Sequence, residues 1–309
     1  MATQNAMNHA QSDRSSELVA GVHKAIQPRF RTIDGVSIRF AESERNGAQN
    51  GDALLLSPWP ESLYAFEPMW SRLAKTMHLV AIDLPGFGRS ERKDALMSPR
   101  AMGEFILRVA DAFGLDHPHI VGPDVGTAAV LFAAASQPGR FLSLVVGSGG
   151  AAVPIQLGDA LRERVFARDL EPYRRSGGRP FVERALQTLE RYELSDTARE
   201  DYLVSYEGDR YAESIRYVQS YPTELEILRD VLPQIQTPVQ IIAGSKDRVV
   251  PPVNAEYLHD RLPNNELHLI DSGHFVWEDA AAEYASLVTA WWADGYKTQR
   301  SATGAHRSA

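Results

Sequence analysis

Asp124, Asp247 and His274 are the side chains whose types and spacing suit covalent hydrolysis. Asp124 lies in His119-Ile120-Val121-Gly122-Pro123-Asp124-Val125-Gly126-Thr127, where an apolar run passes into a small-residue segment through two glycines. That pattern predicts a sharp strand-to-helix turn, with the glycines letting the backbone pass close to its neighbours. A carboxylate at such a turn is already anionic at neutral pH and displaces a leaving group from saturated carbon without a base to activate it. The expected substrates are epoxides and alkyl halides. The N–H groups and dipole at the following helix N-terminus favour a negative charge on Asp124. Asp247 comes after the apolar run Gln240-Ile241-Ile242-Ala243, and His274 comes after Leu267-His268-Leu269-Ile270. Both are therefore expected at the same end of a sheet, where a carboxylate orients a histidine that activates water.

The elements that must hold these residues alternate along the chain. Arg29 to Ile33 and Val36 to Ala41 flank Asp34-Gly35 and predict a hairpin at an antiparallel edge. Short apolar strands are expected at Ala53 to Leu56, Leu79 to Ile82, His119 to Val121, Leu142 to Val146, Val239 to Ala243 and Glu266 to Ile270. Helical patterns separate them, which predicts an α/β fold with a mostly parallel central sheet. Ser98-Pro99 caps and opens one helix, and Gly126 to Ala135 forms another directly after Asp124. From Ala151 to Tyr221 the alternation stops, and Arg-, Glu- and Tyr-rich helical stretches such as Phe181 to Tyr192 and Thr197 to Tyr206 take over. This segment reads as a helical lid over the carboxyl ends of the strands. The resulting division is a flexible segment over 1–26, a core over 27–150 and 222–296, a lid over 151–221 and a flexible tail over 297–309.

Composition narrows the partners. The 309 residues are 44% hydrophobic and 23% charged with a formal net charge of -8, enough apolar material for a large core and the wrong sign for nucleic acid or an anionic membrane. A small neutral organic substrate and water are expected. The chain has no cysteine, so neither disulfides nor thiolate metal sites arise. No metal or cofactor is expected: the histidines lack ligand spacing, and no G-x-G-x-x-G or phosphate loop is present. The first residues carry no apolar signal segment and no run reaches membrane-spanning length, so a cytoplasmic location is the default. Glu278 and Asp279 read as favourable charges at the start of the last helix.

Asp83-Leu84-Pro85-Gly86-Phe87-Gly88-Arg89-Ser90, the Gly122-Pro123-Asp124-Val125-Gly126 turn, Asp247 and the Gly273-His274 pair together resemble the α/β-hydrolase superfamily over roughly residues 29 to 296. Within it the chain is similar to the epoxide hydrolase and haloalkane dehalogenase branches that use an aspartate nucleophile. The resemblance implies that Asp124 forms an alkyl ester, that His274, oriented by Asp247, activates water against it, and that backbone N–H groups of Trp59 and Val125 hold the oxyanion. The family's usual H-G-x-P is replaced by Ser57-Pro58-Trp59-Pro60, where Pro58 offers no donor. Val125 stands where many relatives have a tryptophan that holds halide, which favours epoxides over haloalkanes or haloacids. A third reading is a non-catalytic ligand-binding relative. Epoxide opening also needs a proton donor, for which the resemblance points to Tyr217 among seven tyrosines between residues 173 and 221.

Overall fold

The computed structural model describes residues 26–47 and 49–296, so the terminal segments expected to be flexible lie outside the described residues apart from their edges. Eight strands make one sheet: β1 (Arg29–Ile33), β2 (Val36–Glu42), β3 (Asp52–Leu56), β4 (His78–Ile82), β5 (His119–Pro123), β6 (Leu144–Gly147), β7 (Val239–Gly244) and β8 (Asn265–Ile270). Their order is β1-β2-β4-β3-β5-β6-β7-β8. β1 pairs with β2 and β2 with β4 antiparallel, and every other pairing is parallel. The fold class expected from the alternation of apolar runs is the one observed.

Strands β4, β5, β6 and β7 are buried along their whole length because helices cover both faces of the sheet. The helices are α1 (Glu67–Leu73), α2 (Pro99–Ala112), α3 (Val125–Ser136), α4 (Asp159–Val165), α5 (Glu171–Ser176), α6 (Arg179–Leu186), α7 (Asp196–Ser205), α8 (Arg210–Gln219), α9 (Tyr221–Val231), α10 (Val253–Arg261), α11 (Val276–Asp279) and α12 (Ala281–Ala290). Ser98 caps α2, its hydroxyl accepting from the Ala101 N–H, and Pro99 occupies the first turn, where no N–H partner is lost. α3 is buried along nearly its full length, consistent with its run of alanines beside the sheet. Gly103 on α2 makes that packing close: a Cβ there would lie 2.6 Å from the Ala129 carbonyl.

Between β6 and β7 the chain forms α4 to α9 with no strand among them. α7 ties this helical insertion to the core through a buried ion pair: Arg39 on β2 donates from Nη1 and Nη2 to the Asp201 carboxylate at 2.9 and 2.7 Å. Arg39 also reaches Asp83 at 3.3 Å, so one guanidinium satisfies two buried carboxylates. No helix among the described residues is long and apolar enough to cross a membrane.

Candidate active site

Backbone geometry sets the direction of Asp124. Its φ of 50° and ψ of -121° put a residue with a side chain in a region that L-amino acids rarely occupy, at the junction of β5 and α3. The turn ejects the carboxylate from the end of β5, toward the loops after β3, β7 and β8. Trp59, Asp247 and His274 come from those loops, so four strand ends converge on one site at the carboxyl edge of the parallel strands.

The two oxygens of Asp124 have different surroundings. Oδ2 accepts the Trp59 backbone N–H at 2.7 Å, and the Val125 N–H also bonds the carboxylate. Oδ1 lies 3.8 Å from His274 Nε2. That separation is beyond hydrogen-bond length and leaves Oδ1 as the less committed oxygen. His274 Nδ1 meets Asp247 Oδ2 at 2.8 Å, which assigns the neutral ring's proton to Nδ1 and leaves Nε2 as a base facing Asp124. Asp247 is fixed in turn, since its Oδ1 accepts the N–H groups of Val249 and Val250, each at 2.8 Å.

Burial governs the charges here. Asp124 is 5% exposed, and loss of water pushes its pKa up to about 6 against the opposing pull of His274 and the two N–H donors. Burial also works against a charged His274, but the charge and hydrogen bond of Asp247, with Asp124 behind, outweigh it and raise the ring's pKa. Asp124 and His274 thus favour each other's ionised forms.

A cavity of about 250 Å³ opens onto Asp124 and His274. Trp59 and Tyr211 stand in its wall with their rings stacked, centroids 5.4 Å apart. The Trp59 indole Nε1 is buried and has no hydrogen-bond partner among the described residues. Tyr211 accepts from Arg164 Nε at 2.7 Å, and its own proton has no acceptor among the described residues. Burial pushes the Tyr211 pKa up to about 12, with Arg164 opposing.

The structure changes one sequence expectation and adds to another. Tyr217 is buried and outside the cavity wall, and its hydroxyl donates to the Val125 carbonyl at 2.8 Å, so its proton is already engaged. Tyr211 stands in the wall where Tyr217 was expected. Glu278 and Asp279 lie in the first turn of α11, as expected, and both are buried there: Asp279 accepts the backbone N–H groups of Glu190, Arg191 and Tyr192, while Glu278 lies fully inside. Glu278 accepts from Tyr202 at 2.8 Å, and Glu61, two residues beyond Trp59, accepts from Trp277 Nε1 at 3.1 Å. The Oε2 atoms of both are buried without a donor, and the two carboxyl groups lie close enough to act on one another. Burial first, then proximity, raises the pKa of Glu61 well above its usual range; burial raises that of Glu278 to about 7. No local sequence signal marks Glu61, Glu278 or Tyr211 for these roles.

Asp83 in the glycine-rich segment has a structural task. Its carboxylate accepts the Leu63 and Arg89 N–H groups at 2.7 and 2.8 Å, joining that segment to the loop that carries Trp59. Gly88, with φ of 50°, passes so close that a Cβ would lie 2.2 Å from Asp83 Cγ.

The family model for the alpha/beta hydrolase fold matches residues 54–281, and the chain belongs to that family. Among curated relatives, the putative carbamate hydrolase RutD of Caulobacter sp. (strain K31) is 28% identical over 258 residues, covering 78% of this chain and 89% of the relative. The 2-hydroxymuconate semialdehyde hydrolase of Pseudomonas putida is 28% identical over 233 residues, covering 70% and 77%. Among solved structures, Cfl2 from Burkholderia cenocepacia superposes with a TM-score of 0.73 at 22% identity, covering 86% of this chain and 96% of its own. The epoxide hydrolase CorEH superposes with a TM-score of 0.73 at 18% identity, covering 87% and 99%. The structural likenesses establish the shared fold, and the chain is a hydrolase of this superfamily.

Proposed function

We propose that the protein hydrolyses epoxides to diols through an alkyl ester on Asp124. The observation that supports this best is the division of labour between the two Asp124 oxygens: Trp59 N–H holds Oδ2 at 2.7 Å while Oδ1 faces the cavity histidine. In the first step Oδ1 attacks an epoxide carbon, forming a carbon–oxygen ester bond as the ring carbon–oxygen bond breaks. The departing alkoxide takes the Tyr211 proton. Arg164, bonded to that hydroxyl at 2.7 Å, favours the phenolate left behind.

In the second step His274 Nε2 removes a proton from water, and the hydroxide adds to the ester carbonyl carbon of Asp124. Oδ2 becomes the oxyanion, already seated against the Trp59 and Val125 N–H donors. Collapse breaks the bond from the aspartate carbonyl carbon to the alkyl oxygen. The product alkoxide takes the proton remaining on the new carboxyl, and the proton held by His274 returns to the tyrosine through solvent. The helical insertion acts as a lid that keeps the site dry, and the protein works in the cytoplasm on a small organic substrate.

The unpartnered Trp59 Nε1 favours a second reading, halide release, because a departing halide needs N–H donors and this one is buried beside the nucleophile. Incubation with matched panels of epoxides and alkyl halides separates the two. Diol formation supports the first reading and halide release the second. Turnover of neither panel would contradict attack on saturated carbon.

A further inference from the structure

Two arginines of the insertion enter the wall of the cavity, Arg164 near the end of α4 and Arg184 in the last turn of α6. Most arginines around them have acidic partners: Arg174 meets Glu213 at 2.5 Å, Arg179 meets Glu200 at 3.2 Å, and Arg216 meets Glu213 at 2.7 Å. Arg164 and Arg184 have no carboxylate within ion-pair distance among the described residues. Arg164 is nevertheless held in place. Its Nε donates to Tyr211 at 2.7 Å, its Nη1 donates to the Ala160 carbonyl, and its guanidinium lies 5.7 Å from the Phe181 ring centroid and 5.8 Å from that of Tyr211. Nη2 has no hydrogen-bond partner among the described residues. Arg184 is exposed, and its charge, like that of Arg164, opposes the burial that raises the Tyr211 pKa.

Arg164 serves any epoxide through Tyr211, but a neutral substrate gives Arg184 no role, whereas an anionic substrate gives a role to both. Asp124 repels any anion approaching it, and two cations in the cavity wall offset that repulsion. The guanidinium fork also matches a carboxylate, which accepts two N–H bonds in one plane. The remaining wall is largely apolar and suits a short carbon chain. A volume of about 250 Å³ falls below the range of roughly 300–1,000 Å³ typical of drug-sized ligands.

We infer that Arg164 and Arg184 form a carboxylate anchor, so the substrate of the Asp124 site is a short epoxy acid rather than a neutral epoxide. The net charge of the whole chain, -8, points the other way because it averages over a surface that the cavity does not share. The inference rests on the Asp124 reaction for the epoxide part only. The anchor itself is a binding site and is measurable without turnover.

The test compares glycidate with glycidamide, which carry the same epoxide with and without a negative charge, in the wild type, Arg184→Gln, Arg164→Gln and Arg168→Gln. Arg168 is exposed and outside the cavity wall, so its variant serves as the control. The wild type is expected to show kcat/KM at least about tenfold higher for glycidate, the scale of one charge-assisted hydrogen bond. Arg184→Gln lowers that ratio by about tenfold, and the control keeps the wild-type ratio. In parallel, calorimetry with unreactive propionate and propionamide reads binding alone. Propionate binding that Arg184→Gln weakens, with neither epoxide turned over, supports the anchor and contradicts the reaction. Equal turnover of the two epoxides, equal binding of the two unreactive probes, or a ratio unchanged by Arg184→Gln overturns the anchor. The Arg164 variant separates anchoring from support of Tyr211: loss of glycidate and glycidamide turnover in equal measure assigns Arg164 to the tyrosine and removes it from the anchor.

Discussion

Asp124 keeps its unusual backbone because its neighbours leave the turn little alternative, and the two flanking glycines contribute unequally. A Cβ on Gly122 would lie 2.6 Å from Val130 Cγ2, a distance that forces α3 or the strand to shift. A Cβ on Gly126 would meet only Leu56, its Cβ at 3.6 Å, an ordinary contact, at a helical position where alanine is the better former. Gly122→Ala is therefore expected to cost about 1–3 kcal/mol, and Gly126→Ala to be neutral or stabilising by up to about 1 kcal/mol. Urea unfolding measures both, and a larger loss from Gly126→Ala would contradict this account of the turn. The two glycines look equivalent in the sequence; the difference arises from how closely α3 lies on β5, which a local pattern does not encode. Asp247 and His274 were legible for the opposite reason. Each sits just past an apolar strand, and parallel strands deliver the loops after them to one end of the sheet.

At the scale of elements, the punctuation of helices and strands was readable and the faces they present were not. Ser98-Pro99 opens α2 and Asp34-Gly35 turns the hairpin because both act through local backbone chemistry. Tyr211 and Tyr217 share α8, six residues apart, which at about 100° per residue places them on different faces. Only the docking of α8 decides which face meets the cavity. Asp279 likewise became a partner for Glu190, Arg191 and Tyr192 through the insertion, contacts separated by 87 to 89 residues along the chain. Docking of α7 depends on Arg39, whose removal leaves buried Asp83 without its cation and Asp201 with only Arg89, at 3.5 Å. Arg39→Met is expected to destabilise the fold by about 3–5 kcal/mol. Adding Asp201→Asn to that variant should recover part of the loss in a chemical unfolding series. An Arg39→Met protein as stable as wild type would show that the pair does not hold the insertion.

Across the whole molecule, buried acids set opposite pH trends for stability and for turnover. Asp83 and Asp124 are raised to about 6 and Glu278 to about 7, in each case chiefly by burial. A raised carboxyl binds its proton more tightly in the folded chain than in the unfolded one, so its contribution is lost as pH rises from the unfolded value through the folded one. His119, lowered to about 4 by burial, opposes this below about pH 6.5, but one group stands against three. The melting temperature is expected to be higher at pH 5.5 than at pH 8. Asp124→Asn removes one buried charge and should raise the melting temperature at pH 8 more than at pH 5.5. In the proposed reaction turnover runs the other way, because an attacking Asp124 must be ionised: kcat/KM should fall on the acid side with a midpoint near 6. A melting temperature that climbs steadily from pH 5.5 to 8 would contradict the burial of these acids.

The central claim is that Asp124 is a nucleophile whose ester His274 helps water to break. His274→Gln removes the base while leaving Asp124, Trp59 N–H and the cavity in place. Mixed with an epoxide that the wild type turns over, this variant is expected to gain the mass of one epoxide in an intact-protein spectrum, with the added mass on the peptide containing Asp124. No adduct with such a substrate, or an adduct on another residue, would contradict the mechanism.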